Sequence, residues 1–263
     1  MNIRRASFIA RLVILVLVGS YPIASLADGQ DDLRSALKRL QGSTAVSGVI
    51  TAKVVDAHGP RDKTKKQTSE LSARAEDGPS GLKISYDRET ASRLDADSLK
   101  KELDPKAQLD ALPAATAFGY QDVRDMSSAG PALSRILEGG EFESESKGNW
   151  NGAPARVLKY SMGLPSILND TQRSYVKDHT GTLEVWIATD GTPLGSLWKD
   201  TTKGRAFMVL SLQFVNEQKY SYAVVGDRLV ATARYFRRVI GQGDDVQERT
   251  INATSQLSKN IQS

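Results

Sequence analysis

Two histidines, His58 and His179, and no cysteine are all that this 263-residue chain offers in the way of imidazole or thiol chemistry. Without cysteine there are no disulfides, thiolate nucleophiles or zinc–thiolate centres. His58 stands in Ala57-His58-Gly59-Pro60, which reads as a solvated turn between strands. Asp178-His179, expected at the end of a short helix, has the residue types of a general base and its orienting acid. No Gly-x-Ser-x-Gly elbow or other nucleophile context accompanies the pair, so a hydrolase would need a serine to converge on it through the fold. The spacing of the two histidines describes no metal site. Glu141, Glu143 and Glu145 alternate along one strand and read as a charged edge that resists mispairing, not as the carboxylate pair of a glycosidase. Gly241-Gln242-Gly243-Asp244-Asp245 lacks the ligand spacing of a calcium loop and reads as a hairpin turn. These residues predict no catalytic side chain, no metal and no cofactor.

The first 27 residues read as an address. Arg4, Arg5 and Arg11 precede a short aliphatic run, Leu12 to Val18, which Tyr21-Pro22 interrupts; Ser25-Leu26-Ala27 then supplies small residues for a signal peptidase. The run is well short of the ~20 residues a membrane span needs, which argues against an anchor. Cleavage after Ala27 would remove three of the 35 basic residues, leaving 32 against 31 acidic ones, a balance that does not describe a nucleic-acid binder. With no cysteine at the cleavage point to carry acyl chains, the expectation is a periplasmic protein, soluble and without a stable membrane anchor, whose residues 28–263 form one domain.

Hydrophobic periodicity sets out the elements that would position any site. Asp31 to Leu40 is amphipathic, with Leu33, Leu37 and Leu40 on one stripe and Asp31-Asp32 at its start. Strands are predicted at Val46–Asp56, Lys66–Ala75 and Leu82–Tyr86. The stretch 87–137 carries helical pieces at Ala96–Leu103, Lys106–Leu112 and Pro131–Leu137, and reads as a partly helical insertion lying over the sheet. From Gly140 onward, Asn151-Gly152, Asp190-Gly191 and Gly226-Asp227 separate alternating segments, the signature of tight hairpins in an antiparallel meander. Alternation predicts an apolar inner face made of Met208, Leu210, Leu212 and Phe214 on one strand. Leu229, Ala231, Ala233, Tyr235 and Val239 would supply the next, and Ile251, Ala253 and Leu257 the last. Arg228, Arg234, Arg238 and Glu248 would then face water, with Arg238 opposite Glu248 across a hairpin centred on Gly243. Small residues at Ala231, Ala233, Ala253 and Ser255 leave room for a helix or a ligand. Of the three tryptophans, Trp186 is out of phase with Leu183, Val185 and Ile187 and should point away from them.

This order of elements resembles the periplasmic lipoprotein-carrier superfamily, the LolA/LolB-like fold. The resemblance lies in a leading helix and strand (LRSALKRL, SGVITAKVV), the GNWNGAPARVLKY hairpin and the segment LEVWIATDGTPL before long closing strands. It implies a mainly β (α+β) protein, a curved antiparallel meander or incomplete barrel of about eleven strands with helices against the concave face. It also implies a non-enzymatic envelope protein binding a lipid or lipoprotein acyl chain in a β-sheet cavity. Residues expected to line that cavity are Met208, Leu210, Leu212, Phe214, Leu229, Ala231, Ala233, Tyr235, Ile251 and Ala253. If the cavity is filled instead, the same fold would serve as an assembly partner for another envelope protein.

Overall fold

The computed structural model describes residues 29–164, 170–206 and 210–260; the leader at 1–27 and Met208 lie outside the described residues. Ten strands build a single antiparallel sheet: β1 Val46–Pro60, β2 Lys65–Gly78, β3 Gly81–Ser85, β4 Gly140–Trp150, β5 Ala153–Met162, β6 Val176–Ile187, β7 Pro193–Ala206, β8 Leu210–Val225, β9 Arg228–Gln242 and β10 Asp245–Lys259. Their order is β3-β2-β1-β10-β9-β8-β7-β6-β5-β4, so one long-range pairing, β1 with β10, joins the N-terminal strands to the C-terminal meander. The sheet is curved and open, with β3 and β4 at its edges. The described residues hold ten strands, consistent with the expected incomplete barrel of about eleven, and Leu210–Val225 is one long strand that pairs with β7 without a break and with β9 on both sides of a bulge.

The turns follow from residues that accept positive φ. Asn151 and Gly152 adopt φ of 50° and 89°, both central positions of a type I′ hairpin. Gly243 has φ 59° and opens a two-residue turn, Gly243-Asp244, so that Gln242 pairs with Asp245. That turn is centred between two residues, not on Gly243. Arg238 therefore sits opposite Arg249, and Glu248 opposite Val239. The predicted Arg238–Glu248 pair is wrong by one residue; Glu248 instead meets Arg237 at 2.7 Å on the other face.

Among the described residues six helices accompany the sheet: α1 Gly29–Arg39, α2 Arg88–Leu103, α3 Leu112–Ala117, α4 Tyr120–Ser127, α5 Ala129–Glu138 and α6 Asp170–Tyr175. Asp87 caps α2 by accepting the Thr90 N–H at 2.7 Å. Lys106–Leu112, expected to be helical, is not a helix. The buried Asp97 carboxylate accepts the backbone N–H groups of Asp110, Ala111 and Leu112 at 2.8, 2.6 and 2.9 Å, and holds this segment as the lead-in to α3. α3 packs on β1 and β2, α4 and α5 on β9, and α1 on α5, β5 and β7. Beneath them Leu33, Met126, Leu133, Leu158, Leu183 and Leu229 are almost fully buried, each contributing about 1.5–3 kcal/mol relative to exposure.

A β-bulge in β9 decides which side chains share the concave face. Ser221 pairs with Ala233 and Tyr222 with Ala231, leaving Thr232 as the extra residue. Leu229 and Ala231 point inward before it. After it the alternation shifts, and Arg234, Phe236, Arg238 and Ile240 point inward while Ala233, Tyr235 and Val239 turn outward. The predicted inner row along β9 is thus broken at its middle. Arg228, expected in water, is buried against Asp77 at 2.8 Å, and Arg234 is buried as well.

Candidate functional site: a concave cavity with a polar mouth

Where the helices end, the sheet and the α3–α4 region enclose a cavity of about 900 Å3. The pairing register sets its wall out in rows that cross the strands. One row is Trp198, Gln218, Phe236 and Ile251, on β7, β8, β9 and β10. The next row outward is Asp200, Asn216, Arg238, Arg249 and, on β1, Asp56. The row deeper in runs through Ser196, Tyr220, Arg234 and Ala253. Ala117 and Asp122 face these rows from the helical side.

The outer row is hydrogen-bonded along most of its length. Asn216 donates to Asp200 Oδ1 at 3.3 Å and accepts from Arg238 Nε at 2.9 Å; Arg249 donates to both Asp56 oxygens, at 2.7 and 3.3 Å. Arg234 Nη2 forms an ion pair with Asp122 at 3.0 Å, and its guanidinium lies near the rings of Phe236, Phe118 and Tyr220, with centroids 5.1, 5.9 and 6.0 Å away. Its Nε and Nη1, the indole Nε1 of Trp198 and Oδ2 of Asp200 are buried with no hydrogen-bond partner among the described residues. Such groups are costly to leave unpaired in a dry site.

A second, smaller cavity of about 350 Å3 adjoins the first, and Trp198 and Gln218 line both. Its wall is more apolar. Ala129, Ala132, Leu133 and Ile136 form one stripe of α5, facing Tyr220 and Tyr222 of β8. Burial pushes the Tyr222 hydroxyl far above its ordinary range, and that hydroxyl is 2.7 Å from Ser196 Oγ. Burial raises Tyr220 too, and its oxygen accepts from Gln218 at 2.7 Å. Both phenols therefore stay neutral and serve as walls.

The residues expected to line a cavity are dispersed. Ile251 lines it; Leu229, Ala231 and Ala253 point inward but lie deeper, buried in the core beneath the helices. The space left by Ala231 is covered by α4 and α5, which pack on β9. Ala233 and Tyr235 face outward because of the bulge. Phe214 sits opposite Ile240 at the open end of β8, 37% exposed, and Leu212 lies one step further out beside Gly204. The backbone of Leu210 pairs with Ala206 at the start of β8.

The histidines also move from their expected places. His58 belongs to β1, which continues to Pro60, and is exposed at the cavity mouth. Asp178 and His179 lie in β6 rather than on a helix, so alternation sends them to opposite faces: Asp178 meets Lys203 at 3.5 Å. His179 Nε2 is 3.1 Å from the Met162 carbonyl, an obligate acceptor, which places the proton on Nε2. Thr202 Oγ1 at 3.0 Å and Asp200 at 3.5 Å then crowd the same nitrogen, Nδ1, and no hydroxyl–imidazole–carboxylate relay is formed. No cluster of three or more metal-binding side chains occurs among the described residues. Trp186 points outward, as expected, and packs against Trp150 at 5.2 Å with the rings tilted by 44°; Trp198 alone of the three faces inward. Arg234 and Phe236 had one visible signal: Tyr235-Phe236 breaks strict alternation, and Phe236 and Ile240 resume it in the opposite phase.

The sequence matches no protein-family model and no curated protein. Among solved structures the chain is similar to one named as an outer membrane lipoprotein-sorting protein domain from Vibrio parahaemolyticus, at 11% identity over 89% of this chain and 92% of that one, with a TM-score of 0.31. No helix among the described residues is long and apolar enough to cross a membrane.

Proposed function

We propose that this chain is an exported, non-enzymatic envelope protein that holds a lipid or acyl-bearing molecule against the concave face of its sheet. The observation that carries this reading is the cavity of about 900 Å3 between the sheet and α3–α4, floored by Trp198, Phe236 and Ile251. Its volume falls in the ~300–1,000 Å3 typical of small-molecule sites. The leader-like residues 1–27 and the order of elements, which resembles that of lipoprotein carriers, support the same reading. In it the leader is removed, residues 28–263 act as one domain, and the helical stretch 87–137 forms the roof over the ligand.

Two measurements test it. Native mass spectrometry of protein purified from its own host's envelope should find a non-covalent apolar adduct. A dansyl-labelled fatty acid should bind saturably, with the enhanced, blue-shifted emission of a dansyl group moved out of water. No adduct together with no saturable binding would refute the carrier and leave an assembly role for the fold.

A further inference from the structure

The cavity wall is not neutral toward what it could hold. Arg238 and Arg249 are directly opposed on neighbouring strands of the concave face, a like-charge pairing that destabilises a sheet unless something answers it. Asp56 answers Arg249. Among the described residues no carboxylate lies within ion-pair distance of Arg238, which donates to Asn216 and lies over the face of Phe236, 5.3 Å from its guanidinium carbon. Arg234 reaches the same ring, at 5.1 Å. Its side chain is only 6% exposed, and its Nε and Nη1 carry N–H groups without partners. The carboxylates facing the cavity do not cancel this. Asp56, Asp122 and Glu248 are engaged by Arg249, Arg234 and Arg237, and Asp200 is on β7, beside Asn216 and His179.

We propose that the ligand is an acidic amphiphile whose phosphate or carboxylate lies between Arg238 and Arg249 and takes N–H bonds from Arg234. Its chain runs over Phe236 and past Trp198 into the second, more apolar cavity beneath α5. The shared wall of Trp198 and Gln218 gives one molecule access to both cavities. Guanidinium groups suit the task because they present several fixed donors to an oxyanion and tolerate partial burial against aromatic faces. This rests on the carrier reading above and adds the charge of the cargo to it.

The test compares two fluorescent probes with identical chains, an NBD-labelled phosphatidylglycerol and the corresponding diacylglycerol, together with inorganic phosphate alone. The wild type should bind phosphatidylglycerol about tenfold more tightly than diacylglycerol, the scale of one or two charge-assisted hydrogen bonds. Arg238→Gln, at an exposed position outside any ion pair, should erase that preference by weakening phosphatidylglycerol binding far more than diacylglycerol binding, and Arg238→Lys should restore part of it. Equal binding of the two probes by the wild type, or a preference that survives Arg238→Gln, overturns the acidic headgroup while the carrier stands. Failure to bind either probe overturns the carrier itself. Tight, saturable binding of inorganic phosphate alone makes this a free-anion site and overturns the amphiphile.

Discussion

Removing the carboxylate of Asp77 should unfold this protein far more readily than removing any surface charge. Asp77 Oδ2 accepts from Arg228 Nη1 at 2.8 Å and from Ser127 Oγ at 2.8 Å, tying β2 to β9 and α4. Both side chains of the ion pair are 7% exposed. In Asp77→Ala the guanidinium remains buried, with only the carbonyls of Ser127 at 3.4 Å and Gly42 at 3.5 Å near enough to accept among the described residues. Breaking a buried pair from one side costs about 3–5 kcal/mol, because the surviving charge has lost its counter-charge and cannot reach water. For a domain of this size that corresponds to roughly 6–20 °C in Tm. Urea denaturation followed by circular dichroism should show a lowered midpoint with an unchanged slope, the mark of lost stability rather than an altered unfolded state. The double variant Asp77→Leu/Arg228→Met, which removes both charges and keeps apolar volume, should recover most of the loss. The reasoning is refuted if Asp77→Ala lies within ~1 kcal/mol of the wild type, or if the double variant is as unstable as the sum of the two single ones.

Two further outcomes test the local geometry. Ala231→Phe, at a fully buried position under the helices, should cost about 1–3 kcal/mol by overpacking, whereas Ala233→Phe, two residues on but turned outward by the bulge, should stay within about 0.5 kcal/mol; thermal melts showing the reverse order would misplace the bulge. Asp97→Ala should cost about 2–4 kcal/mol by leaving three backbone N–H groups without their acceptor. Burial pushes the Asp97 carboxyl up, but the N–H bonds from Leu112, Ala111 and Asp110 and the charge of Lys100 outweigh it and hold it below its ordinary value. Its contribution is therefore present above the unfolded carboxyl range near pH ~4 and is lost as pH falls through the depressed value, so acid titration of Asp97→Asn should show a shallower loss of stability than the wild type.

Much of the scaffold was legible because local chemistry and long-range structure agree in it. Asn151-Gly152 and Gly226-Asp227 name their turns, and the Leu33-Leu37-Leu40 stripe names the buried face of α1. The long alternating strands needed no partner to be recognised. What was not legible depended on one residue acting at a distance. Asp97 lies thirteen residues before the first N–H it fixes, so Lys106–Leu112 looked helical by period while its backbone was already committed elsewhere. Likewise Glu145, read as part of a solvated stripe, turns inward after a bulge beside Glu143 and accepts the Gly29 N–H at 3.0 Å at the start of α1.

The bulge at Thr232 is where sequence reading and function part company, and its consequence is chemical as well as geometric. On an unbroken β9, Ala233, Tyr235 and Val239 would continue the apolar row begun by Leu229 and Ala231, interrupted only by Arg237, and Arg228, Arg234 and Arg238 would face water. That is the lining of a mostly apolar pocket. With one extra residue, the same strand is apolar inward for its first turns of alternation, where helices α4 and α5 cover it. Beyond them it turns Arg234, Phe236 and Arg238 inward, at the open end. The apolar half of the concave face is spent on holding the roof, and the half left for a ligand carries guanidinium groups interleaved with aromatic rings. The acidic amphiphile proposed above, apolar along its length and anionic at one end, matches that half-face, a match that neither the hydrophobic pattern of β9 nor its arginines state until the strand is bent.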